Sequence, residues 1–282
     1  MSVSPVISVI LPARNEERYI ADQLEALAKQ SFDGPWELIV VDHGSTDGTP
    51  GIVRTWQSRL ANLRLESVPD AVTLGGLRNR GVALARADLL AFCDADDIVD
   101  AEWLAEMVEG LREHDIVTGR RAFELLNPPG TYPYSSRVNR APRCGPYVVV
   151  AGCNFGATRA AFDAIGGMTD EVPFGEDTEF GLRANELGLD LAYLDDAVVH
   201  RRLPHTFRGV FRKQFGYGTS QIKVVRRFPA LLAGRPWVAN MLREYVFLVA
   251  RAYWLLDDSK RLHWAMVAGR RAGRLRETVR RR

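Results

Sequence analysis

The stretch "DLLAFCDADDIVDAEW", Asp88 to Trp103, decides how the first half of this chain is read. An apolar run, Leu89 to Phe92, passes through Cys93 into Asp94, Asp96 and Asp97, with Ala95 as the only break. The run reads as a buried strand, and carboxylates crowded at its end repel one another and are costly to desolvate. Alternate residues of an extended segment point the same way, so Asp94 and Asp96 can face one divalent cation. The alternative is an Asp-rich turn opening the next helix, with Asp97 shaping the turn and Asp100 as its N-cap.

Outward from this stretch, short apolar runs alternate with helical patterns. "VISVILP" (Val6–Pro12), "ELIVVD" (Glu37–Asp42) and "LRLESV" (Leu63–Val68) read as strands. Between them lie helical patterns over Glu16–Lys29, from "DGTPGIVRTWQSRL" with Pro50 suited to a first turn, and over Gly75–Arg86; "DAEWLAEMVEGLREH" makes a fourth. Strands rich in Val, Ile and Leu alternating with helices predict an α/β fold, a mostly parallel central sheet flanked by helices. In such sheets ligands sit beyond the carboxyl ends of the strands. Here those ends read Pro12-Ala13-Arg14, Asp42-His43-Gly44-Ser45 and Asp94-Ala95-Asp96. From Glu124 to Val150 five prolines predict a long loop, and helical patterns return over Thr158–Ile165 and Asp177–Leu187. From Thr206 the chain reads as helical, broken near Pro229 and Pro236.

Composition is that of an ordinary globular protein, 46% hydrophobic and 26% charged over 282 residues. The three cysteines form no CxxC pair and predict reduced thiols in a cytoplasmic protein. The amino terminus lacks a signal-peptide pattern, and no segment predicts a transmembrane helix. Dinucleotide, Walker A, zinc-protease and nucleophile-elbow motifs are absent, and no nucleic-acid reader motif appears.

Two further groups carry chemistry. Glu176 and Asp177 are adjacent acids at the start of a helical pattern, where a helix N-terminus attracts carboxylates and neighbouring acids can be pushed apart in pKa to make a general base. His200 closes "AVVH" just before Arg201 and Arg202.

At this point the chain resembles the family 2 inverting glycosyltransferases with the GT-A fold. The matching stretches are "SVILPARNEERYI", "ELIVVDHGSTDGT", "GGLRNRGVALARADLLAFCDADD", "AGCNFGATRAAFDAIGGM", "FGEDTEFGLRANELG" and "AVVH", in the family's order over residues 6–200. The resemblance implies a nucleotide-sugar pocket lined by Pro12, Ala13, Arg14, Glu16, Asp42, Ser45, Arg78, Asn79, Asp94, Ala95 and Asp96. It implies Asp177 as base beside Glu176, and a divalent metal, Mn2+ or Mg2+, at Asp96, Asp94 and His200. Asn154, Arg201 and Arg202 become candidates for the acceptor or the diphosphate. His43 stands where the family often has a second Asp, and the Q-x-x-R-W motif of processive synthases is missing, so the expected reaction is one transfer to an acceptor hydroxyl, lipid-linked or not. Two competing readings are a non-catalytic nucleotide-sugar-binding protein and a sugar nucleotidyltransferase; "PARNEER" lacks the Gly-rich loop that the latter wants.

The expected division is a catalytic domain over 1–205 and a basic, mainly helical extension over 206–282. Residues 1–196 carry 17 Lys/Arg against 31 Asp/Glu, whereas 197–282 carry 20 against 4. Such asymmetry predicts an anionic partner for the basic part. An amphipathic segment over Pro236–Leu256 beside a basic end fits the inner face of a membrane; a helical pair or homodimer interface with a solvated basic end is the other reading.

Overall fold

The computed structural model describes residues 4–68, 73–128, 140–229, 237–257 and 260–280. The middle of the expected Glu124–Val150 loop and the expected break at Pro236 lie outside them. Two compact units are formed, one from Met1–Leu126, Arg137–Glu171 and Glu176–Arg202, the other from Asn127–Ser136, Val172–Gly175 and Leu203–Arg282.

In the first unit, β1 (Ile7–Ala13), β2 (Trp36–Asp42), β3 (Leu63–Ser67) and β4 (Leu89–Cys93) alternate with α1 (Ile20–Ala28), α2 (Thr49–Trp56) and α3 (Leu74–Leu84). β5 (Ile98–Val99), α4 (Trp103–Glu113), β6 (Ile116–Ala122) and the small β7 (Arg143–Cys144) and β8 (Tyr147–Val148) hairpin follow. β9 (Asn154–Thr158), α5 (Arg159–Ile165), α6 (Glu176–Glu186) and β10 (Leu191–His200) complete it. The eight-stranded sheet has the order β3-β2-β1-β4-β9-β6-β10-β5. It is mostly parallel, as expected; β9 runs antiparallel between β4 and β6, and β5 antiparallel beside β10.

The alternation of β4 shows how the sequence builds two cores. Ala91 and Cys93 join Leu24, Leu27, Trp103 and Met107 on one face. Leu90 and Phe92 join Phe155, Phe162 and Phe180 on the other, with the Phe92 and Phe155 rings stacked at 4.2 Å. At the start of β2, buried Glu37 accepts hydrogen bonds from Ser8 Oγ (2.8 Å), the Arg86 N–H (2.7 Å) and Arg86 Nε (3.0 Å). Burial alone would raise its pKa, but these donors outweigh it and hold the carboxyl below the ordinary range.

Two expectations are corrected here. The first helix starts at Ile20 rather than Glu16, because residues 16–19 form a turn bonded to the 47–49 loop. α4 is preceded by Glu102, and Asp100 is not its cap: Asp100 Oδ1 accepts the N–H of Ala101 inside the turn.

The second unit contains α7 (Phe207–Arg227), α8 (Trp237–Ala250), a 3-10 helix (Ala252–Leu256) and α9 (Arg261–Val279). Thr206 caps α7 by accepting the Gly209 N–H at 3.1 Å. Contacts between α7 and α9 pair Gln214 with Arg270, Gln221 with Arg274 and Arg226 with Glu277, so the two helices run parallel. Glycines let their backbones approach: a Cβ on Gly273 would lie 2.0 Å from the Phe215 carbonyl oxygen.

Candidate active site

The carboxyl ends of β1, β2, β4, β6 and β10 meet the start of β9 along one edge of the sheet. Ala13 pairs with Asp42, Cys93 with Asn154, and Ala122 with His200. β5 then pairs Ile98 with His200, which holds the 94–97 turn against the end of β10.

The first two strand ends are laced together. Asn15, at φ +56°, donates its N–H to Ser45 Oγ (2.9 Å) and accepts the Thr46 N–H on Oδ1 (2.8 Å). Glu16 donates to Thr49 Oγ1, and the Gly48 N–H donates to Glu17, both at 2.8 Å. Asp42 accepts the Ser45 N–H at 3.3 Å on Oδ2, while its buried Oδ1 has no partner. His43 Nδ1 accepts from Arg14 at 3.3 Å, so an imidazole stands where the family often has a second Asp.

Arg78, from the middle of α3, is the centre of the other half. Its side chain is 1% exposed and donates to Glu176 Oε1 (2.8 Å), Asp94 Oδ1 (3.0 Å) and the Gly152 carbonyl (2.9 Å). Burial works against a buried cation, but the charges of Asp94, Glu176 and Asp177 outweigh it and raise the Arg78 pKa. Asp177 accepts the N–H of Gly152 (2.9 Å) and of Thr178 (2.6 Å). Arg78 therefore joins the end of β4 to the start of α6, and Asp177 is fixed beside that junction.

The 94–97 segment is a turn, not a continued strand, and this changes which acids meet. Ligand atoms of Asp94, Asp97 and Cys153 lie within 4.8 Å of one another, a group that includes neither Asp96 nor His200. Asp97, expected only to shape the turn, is buried; Oδ1 accepts the Arg202 N–H (2.8 Å) and Oδ2 has no partner. Burial, reinforced by Asp96 and Asp94, raises its pKa well above the ordinary value against the pull of Arg201. The Cys153 thiol is pushed up to about 12, by burial first. Two clustered carboxylates with an unsatisfied buried oxygen fit a hard divalent cation, whereas a protonated thiol does not add to that fit. His200 lies with Nε2 3.5 Å from Asp100 Oδ2, and its Nδ1 is buried without a partner.

Three expected site residues already have protein partners. Asn154 is fully buried: it accepts from Trp103 Nε1 (2.9 Å) and donates to the Arg120 and Ala197 carbonyls (2.8 Å each), so it ties the sheet together rather than facing an acceptor. Asn79 clasps Met168 through its N–H and carbonyl, both at 2.8 Å. Arg202 stacks over Tyr19 at 4.1 Å and donates to the Asp96 carbonyl at 3.1 Å.

Comparison with known proteins gives the family and the fold. Residues 8–166 match Glycosyl transferase family 2, and residues 89–269 match Glycosyl transferase family group 2. The chain belongs to glycosyl transferase family 2. Glycosyltransferase AglE of Haloferax volcanii is 28% identical over 231 residues, covering 79% of this chain and 75% of AglE. The poly(ribitol-phosphate) beta-N-acetylglucosaminyltransferase TarS of Staphylococcus aureus is 37% identical over 110 residues, 38% of this chain but only 19% of TarS. The fold is shared with mannosyltransferase PcManGT of Pyrobaculum calidifontis, solved in complex with GDP-Man and Mn2+, at a TM-score of 0.69 and 21% identity, covering 100% of this chain and 89% of that one.

In this glycosyltransferase, reading the sequence missed Asp97, Cys153 and Arg121 as neighbours at the strand ends. Arg121 is the second of two arginines ending β6; its Nε is buried without a partner, and its charge acts on Cys153. No spacing signal pointed to it, since β6 itself was not read as a strand.

Proposed function

We propose that this glycosyltransferase moves one hexose from a nucleoside diphosphate sugar, UDP- or GDP-linked, to an acceptor hydroxyl in a single displacement that inverts the anomeric centre. The observation that carries the proposal is the buried Arg78, which fixes Asp94 and Glu176 on one guanidinium and so sets Asp177 next to the acids of the 94–97 turn. The unpartnered Oδ1 of Asp42 supports a nucleotide base at the β2 end, where a base N–H would satisfy it. Asp94, with Asp96 or Asp97, would hold a divalent cation, Mn2+ or Mg2+. When bound, that cation neutralises charge on the leaving diphosphate. Arg201 adds positive charge at the same turn. Asp177, oriented by the Gly152 and Thr178 N–H groups, takes the proton from the acceptor hydroxyl. The first unit is the catalytic domain in this reading, and the helical unit from Leu203 onward is its basic extension.

Calorimetric titration with a panel of UDP- and GDP-sugars, with and without Mn2+ or Mg2+, tests the proposal. Asp177→Asn is expected to keep donor affinity while transfer falls by about 10^2-fold or more. Wild-type turnover in that variant sinks the base assignment. Asp94→Asn, Asp96→Asn and Asp97→Asn, compared for Mn2+ affinity, identify the ligands, and donor binding indifferent to metal in the wild type removes the cation.

A further inference from the structure

The second unit turns apolar side chains outward where its own packing does not need them. Six of the thirteen exposed large apolar residues among those described fall between Tyr245 and Leu256. Val249 is 80% exposed, Tyr253 60% and Leu256 92%. The inner side of the same segment is already satisfied. Phe247, Trp254 and His263 pack as an aromatic cluster with centroids 5.4 Å apart, and Trp264 Nε1 donates to the Leu248 carbonyl at 3.0 Å. Glu244 faces Arg271 (3.4 Å) and Arg274 (2.8 Å), which withdraws its negative charge from the outer side. Val249, Tyr253 and Leu256, close in sequence, thus make this stretch an apolar tip that stays exposed among the described residues.

The charge around this tip selects the occupant. Arg243 and Arg251 are exposed beside it, Lys260 is paired with Asp257 at 2.6 Å, and residues 197–282 carry 20 Lys/Arg against 4 Asp/Glu. The Arg251 guanidinium lies 4.7 Å over the Trp254 ring, a cation held at the border of the apolar tip. A second copy of the same cationic surface would meet it with like charge, whereas an anionic lipid surface offers both apolar depth and opposite charge. Crossing the bilayer is excluded for this element: α8 has 14 residues, against the roughly 20 that a span requires, and no described helix is long and apolar enough.

We propose that the α8 and 3-10 segment docks on an anionic membrane surface, with Val249, Tyr253 and Leu256 entering the headgroup boundary and Arg243 and Arg251 facing lipid phosphates. The inference goes beyond sugar transfer and does not depend on it. The test is flotation of the full chain with vesicles of two parts phosphatidylcholine to one part phosphatidylglycerol, and with phosphatidylcholine alone. Wild type is expected to float with the anionic vesicles, to lose about tenfold or more in affinity on neutral ones, and to weaken as salt rises. Val249→Glu with Leu256→Glu is expected to lose at least about tenfold while its thermal unfolding is unchanged, because neither side chain is covered in the fold. Failure of the wild type to float, equal binding by the double variant, or a dimer in analytical ultracentrifugation that the double variant abolishes without any vesicle binding, would each overturn the proposal.

Discussion

Replacing Arg78 by Met tests whether its guanidinium holds the site together. The substitution keeps the length of the side chain and removes three hydrogen bonds, two of them to carboxylates. Glu176, buried at the start of α6, then loses its countercharge, while Asp94 is partly open to water and loses less. Breaking a buried ion pair by deleting one partner costs about 3–5 kcal/mol. At roughly 2–4 °C per kcal/mol for a chain of this size class, the melting temperature should fall by about 6–20 °C. Arg78→Met with Glu176→Gln should be less damaged than Arg78→Met alone, since the uncompensated charge is gone; a coupling of about 0.5–3 kcal/mol is expected for groups in contact. Urea unfolding of the wild type, both single variants and the double variant measures this cycle. The reasoning is refuted if Arg78→Met unfolds within about 1 kcal/mol of wild type, or if the two substitutions simply add.

Glu37→Gln should destabilise by about 1.5–3 kcal/mol near neutral pH, where the ionised carboxylate accepts from Ser8, from the Arg86 N–H and Nε and, at 3.4 Å, from Arg64. Because the folded pKa lies below the ordinary 4.5, that stability is present above this value and is lost as pH falls through the folded pKa. Wild-type and variant stability curves should therefore converge in acid, and a pH-independent gap would contradict the assignment. Gly273→Ala should cost about 1–3 kcal/mol through the clash with the Phe215 carbonyl, although helix propensity alone predicts a gain. Gly51→Ala in α2, where an added Cβ meets nothing within 4 Å, should stabilise by up to about 1 kcal/mol, and both are read by thermal denaturation.

The parts of the fold legible in the sequence were those with a strong local period. β1, β2 and β4 are buried runs with clear ends, α2 and α5 start on a proline and a capping Thr158, and α6 opens on acidic residues. β9 was hidden because "NFGAT" is short and its register depends on neighbours far away in the chain. The same gap explains Asn154: without the strand, a polar residue beside "AGC" reads as a ligand, whereas in the sheet its amide bonds two backbones. The acids of the 94–97 turn were legible only in part. The period-2 argument holds while the chain is extended, but the turn after Cys93 swings Asp97 inward beside Asp94.

The place of β6 in the sheet sets an order on assembly during synthesis. β3, β2, β1 and β4 can pair as soon as Cys93 has left the ribosome, since each needs only earlier strands. β6 cannot: its two neighbours, β9 and β10, begin at Asn154 and Leu191. While it waits, "IVTGRRA" is a nascent strand with both edges open, the situation in which chains pair with the wrong partner. Arg120 and Arg121 lie just before its last residue, and positive charge on an unpaired edge discourages such encounters. Two positive charges near the end of β6 are thus a feature that disfavours mispairing while its neighbours are still unmade.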